Sequence, residues 1–365
     1  MRIVILADLL LMGGLETHIV AFSNELLRRG HQLFLYTAYT KPDLISLINR
    51  NNRSFFHGCW SDDPVNDLNG FQPEIIHAHP FTAIFKGFDL AVALSKPFFV
   101  TMHGLYDFGL DRSIQGNLIS ERVQKIIAVD NGVAGILKSS TAHPEKVVVI
   151  PNGIDLDFFS PRPLKKVGSG RYTLTVISRF DDGKERPIRS LLQCVENLSC
   201  LVKGLDLIIV GDGSRASELR SLAAQLDRAV SNLTVHFTGP QNDVRGYIAR
   251  ADLCLACDRA ALEAMACYRP VFAMNSYGFA GPIDNSNFRE VLLNRRGYRE
   301  LHPAELVERL AVLLKDQAHR RLLAEEGLEI IKQNFNIADS VSQLEAVYSQ
   351  VEPVHRKARY GGKLK

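Results

Sequence analysis

No run of about 18 uncharged apolar residues occurs in this chain, so a membrane-spanning helix is not expected. Cysteine is sparse. Six in 365 residues are too few for a disulfide framework in a chain this long. Cys254 and Cys257 stand at a zinc-like spacing, yet no second ligand pair follows, and they read as buried free thiols. Charge of one sign is missing as well: a net +3 argues against a dedicated nucleic-acid binder. Only the tail is locally basic, with His355, Arg356, Lys357, Arg359, Lys363 and Lys365, and it can support peripheral attraction to anionic lipid. The apolar start Ile3–Ala7 is interrupted by Asp8 with no small-residue cleavage site after it, so no signal peptide is read and the cytoplasm is the expected compartment. The G-x-G-x-x-G fingerprint of a dinucleotide binder is also absent after the first strand.

What is present is apolar material in an α/β rhythm. Hydrophobic residues make up 46%, enough for large cores, and the length suits two domains. Arg2–Ala7 reads as a buried strand. A helix follows over about 15–29, with Leu15, Ile19, Phe22 and Leu26 on one face, and Gly30 closes it before a strand from Leu33. Further strands are expected at 74–78, 98–101, 125–129 and 147–150. Residues 161–171, rich in Pro and Gly, read as a linker. The pattern then restarts, with strands at 172–177, 206–210, 233–237, 252–256 and 270–273. Helices are expected at 214–226, 242–250, 303–315, 317–333 and 337–350, the last crossing back to brace the first domain. The expected architecture is therefore two Rossmann-like parallel-sheet domains, 1–165 and 166–335, with a crossing helix and basic tail over 336–365. Ligand would lie in a cleft at the carboxyl ends of the strands.

The chemistry-bearing residues fall at those strand ends. Gly13 and Gly14 precede a helix N-terminus, where bare amides favour an anion. His103, in Thr101-Met102-His103-Gly104, can donate into the cleft, whereas His77 and His79 read as structural and no metal is expected. Arg179 and Lys184 bracket a loop that can cradle a diphosphate and offset charge on a departing oxygen. Gly211 and Gly213 can admit a base or ribose, although a tight turn explains them nearly as well. Arg259 can reach phosphate, and Tyr277 and Gly278 can offer amides to a diphosphate. Glu263, in the first turn of a small-residue helix, can receive hydroxyls from a ligand or cap its own helix. Phe55, Phe56 and Trp60 can line a pocket or meet a membrane surface, and core beneath a helix is the preferred reading.

Met12-Gly13-Gly14-Leu15-Glu16, Thr101-Met102-His103-Gly104, Ile150-Pro151-Asn152-Gly153-Ile154-Asp155, Arg179 with Lys184, Gly211-Asp212-Gly213 and Leu262-Glu263-Ala264-Met265-Ala266 together resemble glycosyltransferase family 4 over nearly the whole chain. The resemblance implies the GT-B fold and transfer of a sugar from a nucleotide sugar with retention, without a required metal. It implies that Gly14 approaches the donor phosphate or sugar and that His103 contacts the sugar. Arg179 and Lys184 would hold the diphosphate, Glu263 the ribose hydroxyls, and Asn152-Gly153 would shape the loop to the hinge. The chain departs from the family pattern in places. Many members carry an earlier glutamate where Leu255 stands, a role Asp258 or Arg259 can partly assume. Tyr268 replaces a usual small residue, and Phe279 breaks a usual glycine pair.

The expected reaction moves a sugar from a UDP- or GDP-sugar to a hydroxyl of a glycan, lipid-linked or small-molecule acceptor, in polysaccharide biosynthesis. The nucleotide diphosphate-sugar is a substrate, with no obligatory cofactor. Two rivals stay open. One is a sugar-nucleotide epimerase or hydrolase of the same fold using Asp130, Glu121 or His103. The other is a non-catalytic partner protein. Peripheral association with the inner face of the plasma membrane fits a lipid-linked acceptor.

Overall fold

The computed structural model describes residues 1–11, 13–48, 53–163 and 170–351. The middle of the expected linker and the basic tail lie outside the described residues. The chain divides into two compact units, one of residues 1–11, 15–151 and 338–365, the other of 12–14 and 152–337. The boundary therefore falls at Pro151/Asn152 rather than near 165. The physical reason is that the segment after Pro151 is committed to the second unit. Ile154 and Phe159 are buried in its core, and Ile154 bridges to Asn336.

The first unit runs β1 (Arg2–Leu10), α1 (Gly14–Arg28), β2 (Gln32–Thr40), the single turn α2 (Pro42–Ile45), β3 (Phe55–Cys59), the single turn α3 (Pro64–Asp67), β4 (Ile75–Ala78), α4 (Ala83–Leu94), β5 (Phe98–Met102), α5 (Ile114–Arg122), β6 (Lys125–Ala128), α6 (Asn131–Ser140) and β7 (Val147–Val149). Its seven strands lie in the order β3-β2-β1-β4-β5-β6-β7, all parallel. The near-continuous apolar runs of β1, β4 and β5 are what a sheet covered on both faces requires. Phe55 and Phe56 were expected beneath a helix, but they form part of β3 at the sheet edge, where Phe56 is exposed and stacks on Phe34. Trp60 follows that strand and donates its indole N–H to the Tyr36 carbonyl at 3.1 Å. Asp8 does not end β1. Its carboxylate accepts the amides of Phe81, Thr82 and Ala83, so it satisfies the open N-terminal turn of α4.

The second unit runs β8 (Tyr172–Ile177), α7 (Arg186–Leu201), β9 (Leu205–Val210), α8 (Ala216–Ala229), β10 (Leu233–Gly239), the single turn α9 (Arg245–Ile248), β11 (Leu253–Ala256), α10 (Asp258–Ala266), β12 (Val271–Asn275), β13 (Gly278–Pro282), α11 (Pro303–Lys315) and α12 (Gln317–Asn334). The sheet order is β10-β9-β8-β11-β12-β13. One edge is antiparallel: β13 returns on β12 as a hairpin, which the parallel reading missed because its strand is short and opens on Gly278. The helix expected over 242–250 shrinks to α9, since Asp243 turns back to accept the Arg245 amide. The last described helix is α13 (Ile337–Ser349), whose residues from 338 group with the first unit.

Candidate active site

In the second unit, β8 and β11 are neighbouring parallel strands with Ile177 opposite Ala256, so the segments after them emerge side by side. After β8, Arg179 is exposed and pairs with Asp181 at 2.6 Å, while Lys184 is exposed at the entry to α7. The Lys184 charge reaches the Cys257 thiol at the end of β11, where burial, the larger effect, pushes that thiol up to about 12. The basic loop and the start of α10 therefore share one edge of the sheet.

Glu263 sits in the second turn of α10 rather than the first, because the helix already starts at Asp258, and 7% of its surface is exposed. Arg259, one turn earlier, donates its Nε to Glu263 Oε1 at 2.9 Å and an Nη1 to the Gly153 carbonyl at 3.2 Å. Burial raises the Glu263 carboxyl above its ordinary range, and the Arg259 charge works against that rise. The expectation that Arg259 reaches phosphate is corrected here: its guanidinium is buried and already committed to Glu263 and Gly153. Asp258 instead pairs outward with Arg295 at 3.2 Å.

Both glycines after β9 have a cause in the protein itself. A Cβ on Gly211 would lie 1.9 Å from the Ser178 carbonyl oxygen, and one on Gly213 would lie 2.5 Å from the Phe180 carbonyl carbon. The Phe180 amide donates to the Asp212 carbonyl at 2.9 Å, clasping the two loops together. The Tyr277–Gly278 pair is also corrected. The Tyr277 amide donates to Asn275 Oδ1 at 2.8 Å, and Gly278, at φ 119°, presses on the Arg299 backbone within the β12–β13 turn. These amides belong to a hairpin, and Tyr277 is an exposed side chain at its tip.

Gly13 precedes α1 and Gly14 opens it, and both group with the second unit. A Cβ on Gly14 would meet no atom nearer than 4.0 Å, so packing within the protein does not demand glycine there. His103 lies just past β5 and shares a hydrogen bond with His79 at 2.8 Å. Behind it, the His77 and His79 rings stack at 5.0 Å. His77 bonds Thr101 Oγ1 at 2.7 Å on one side and the Tyr348 hydroxyl of α13 on the other. Burial holds His79 down at about 3, so it is neutral at ordinary pH. Sequence reasoning missed His18 on α1, whose ring lies 4.6 Å from that of His103. The available signal was its place next to Ile19 and one turn before Phe22, on the inward face of the helix. Asp130, one of the residues weighed as an acid or base, caps α6 by accepting the Val133 amide at 2.8 Å.

Residues 12–158 match the Glycosyltransferase Family 4 model and residues 171–316 match Glycosyl transferases group 1. The chain belongs to glycosyltransferase family 4. Among known proteins it is 22% identical to the phosphatidylinositol N-acetylglucosaminyltransferase gpi3 subunit of Schizosaccharomyces pombe over 93% of this chain and 78% of that protein. It is 22% identical to the alpha-monoglucosyldiacylglycerol synthase of Streptococcus pneumoniae over 93% of this chain and 84% of that protein. Against the Saccharomyces cerevisiae GPI3 subunits the match spans 59% of their length. Anabaena HepE, solved with UDP and glucose, superposes with a TM-score of 0.73 at 18% identity, over 96% of this chain and 100% of that one. A glycosyltransferase from Rickettsia africae gives 0.72 at 18% identity over 98% and 99%. These likenesses establish the GT-B fold.

The departures of this family 4 chain acquire local causes. Leu255 is fully buried in β11, a core position that offers no room for a second carboxylate. Tyr268 adopts φ 61°, the left-handed region that favours glycine, and its hydroxyl donates to Glu325 at 3.1 Å. Phe279 is buried against Phe272, with ring centroids 6.1 Å apart, so its side chain fills core at the sheet edge. Cys254 is buried, Cys257 is half-buried, and neither forms a disulfide.

Proposed function

We propose that this chain is a retaining glycosyltransferase that moves a sugar from a UDP- or GDP-sugar to a hydroxyl of a glycan or lipid-linked acceptor. The observation that carries this reading is the buried Glu263 on α10, the helix that follows β11, with the exposed cations on the loop after the neighbouring strand β8. In this reading Glu263 keeps Oε1 on Arg259 and turns its other oxygen to the ribose hydroxyls. Arg179 exchanges its contact with Asp181 for the diphosphate, and Lys184 joins it. Each contributes about 2–4 kcal/mol to the transition state by stabilising the oxygen that departs from the anomeric carbon. The acceptor hydroxyl attacks from the face the diphosphate leaves, and its proton passes to the leaving phosphate oxygen. No carboxylate pair of the glycosidase kind is then needed, in keeping with Leu255. His103 is assigned to the donor sugar, and Gly13 and Gly14 to the close approach of an anionic ligand, since space alone does not demand glycine at position 14.

For the acceptor we favour a lipid-linked hydroxyl at the inner face of the plasma membrane. By their titles the named relatives are a phosphatidylinositol N-acetylglucosaminyltransferase subunit and a synthase of alpha-monoglucosyldiacylglycerol, both names of lipid glycosylation. On the first unit Ile114 is 85% exposed, with Leu118, Leu105 and Phe108 also exposed nearby in the chain. Among the described residues, no helix is long and apolar enough to cross a membrane, so contact would be peripheral.

The test is a calorimetric binding screen with uridine and guanosine diphosphates and their sugars, followed by turnover with and without acceptor. Glu263→Gln serves as the comparison. Binding that weakens by about tenfold or more in the variant supports the ribose assignment. Absence of any nucleotide binding by folded protein overturns the transferase reading. Epimer or free sugar formed without acceptor transfers the case to the epimerase or hydrolase alternative.

A further inference from the structure

The sequence presented His77, His79 and His103 as a histidine group without a metal. The fold regroups them: His77 turns away to Thr101 and Tyr348, and His18 of α1 takes its place. One ring nitrogen from each of His18, His79 and His103 lies within 4.8 Å of the other two. The ring centroids stand 4.6 Å apart for His18 and His103, 5.1 Å for His79 and His103, and 5.7 Å for His18 and His79. The three side chains come from a helix and two strand ends of a single unit, so the protein core holds their backbones.

Zinc takes imidazole nitrogen at about 2.0–2.1 Å, which places ligand nitrogens roughly 3.3 Å from one another. The His79–His103 pair, at 2.8 Å, needs to open by about half an ångström, exchanging its hydrogen bond for two metal bonds. A cavity of about 20 Å³, about the space of one water, borders His18 and His79. Imidazole ligands suit zinc, copper, nickel and cobalt rather than magnesium or calcium, which prefer oxygen. The cluster contains no carboxylate, so it discriminates against the hard cations common in nucleotide chemistry. His18 and His79 are buried and His103 is the half-buried member of the three.

We propose that His18, His79 and His103 form a three-histidine site for a Zn²⁺-class ion, and that the bound ion competes with the donor sugar for His103. The competition rests on the transferase reading above, and the coordination does not. The ion is an inhibitor, not a requirement for transfer. It neither accepts nor supplies electrons, and binding breaks only the imidazole hydrogen bonds it replaces.

The full chain, stripped with chelator, is titrated with Zn²⁺ against a chromophoric chelator, alongside His18→Gln, His79→Gln and the exposed control His57→Gln. One ion per chain is expected, bound at least about tenfold more weakly in the first two variants and unchanged in the control. Co²⁺ bound to the wild-type chain is expected to show visible bands of a low-coordinate nitrogen site. Pulsed paramagnetic resonance of bound Cu²⁺ is expected to count three imidazoles, an arm that needs no variant to fold. Failure of the wild type to bind Zn²⁺ below about 100 µM overturns the site, as does equal binding by all variants or fewer than three imidazoles. Neither result touches the transferase reading, whose test is nucleotide binding and turnover. Zn²⁺ is expected to raise the apparent KM for donor, with recovery on chelation. Tight three-histidine binding with unaltered donor KM overturns the competition and with it the assignment of His103 to the sugar, while the coordination stands.

Discussion

At the residue scale, Glu263 and Arg259 govern what substitution can reveal. Removing one member of a buried ion pair leaves the other uncompensated, at a cost of about 3–5 kcal/mol. Glu263→Ala is therefore expected to melt well below the wild type as well as to lose nucleotide affinity. Glu263→Gln keeps an acceptor for Arg259 and is expected to lose affinity with a smaller fall in melting temperature. Paired melting and calorimetric curves separate the two effects. If Glu263→Ala melts with the wild type, the buried pair carries no net stability. Tyr268 tests the opposite sign. Its φ of 61° strains a side chain with a Cβ, so Tyr268→Gly is expected to gain up to about 1 kcal/mol, reduced by the lost bond to Glu325. For a unit of this size that is a rise of roughly 2–4 °C by calorimetry, and a fall would show that the Tyr268–Glu325 contact outweighs the strain.

At the element scale, α13 is held to the first unit by charged and buried groups together. Arg29 donates to Glu345 at 2.6 Å and to the Ala338 carbonyl at 2.6 Å, and His31 bonds Glu345 at 2.7 Å. Deeper in, Tyr348 bonds His77. Burial acts to raise the Glu345 carboxyl, but the hydrogen bonds from His31 and Arg29, with the Arg29 charge, outweigh it and hold the group below its ordinary range. A carboxylate whose pKa is depressed by folding contributes stability above its unfolded value and loses it as pH falls through the folded value. The α13 clasp is thus expected to be intact near neutrality and to loosen in acid, below the ordinary carboxylate pKa of about 4.3. Hydrogen exchange along 338–349 measured down the pH scale checks this. Glu345→Gln is expected to show faster exchange there at neutral pH and little further change in acid, and a variant that still loosens on acidification points to another group.

At the scale of the whole molecule, the chain leaves the first unit at Pro151 and returns to it after Ile337. Arg179 and Lys184 sit exposed on a loop whose backbone is clasped by Asp212 and Arg215. Their loss should leave the fold alone and act on transfer. Arg179→Ala and Lys184→Ala are each expected to lower kcat by about 10²-fold with unchanged melting, since in the proposed reaction both act on charge that develops as the diphosphate leaves. A rise in KM alone, with kcat intact, would assign them to ground-state binding instead.

By itself the sequence determined the alternation of strands and helices, the restart after the first half, the returning last helix and the family. Each of these follows from local periodicity or from motif spacing that survives without knowing any contact. It also placed the Arg179–Lys184 loop at a strand end and Glu263 on the helix after a neighbouring strand, because a parallel sheet puts every such connection at the same edge. Only the tertiary structure decided how those residues are occupied. It turned Arg259 from a phosphate ligand into the buried partner of Glu263, assigned the Tyr277–Gly278 amides to an antiparallel hairpin, and moved the unit boundary to Pro151. It also substituted His18 for His77 in the histidine cluster. The unit boundary and the histidine cluster depend on which distant backbone lies within a few ångströms of a side chain, which no pattern along a single strand or helix encodes; the Arg259–Glu263 pair is an i,i+4 contact that helical spacing allows, and burial is what commits it.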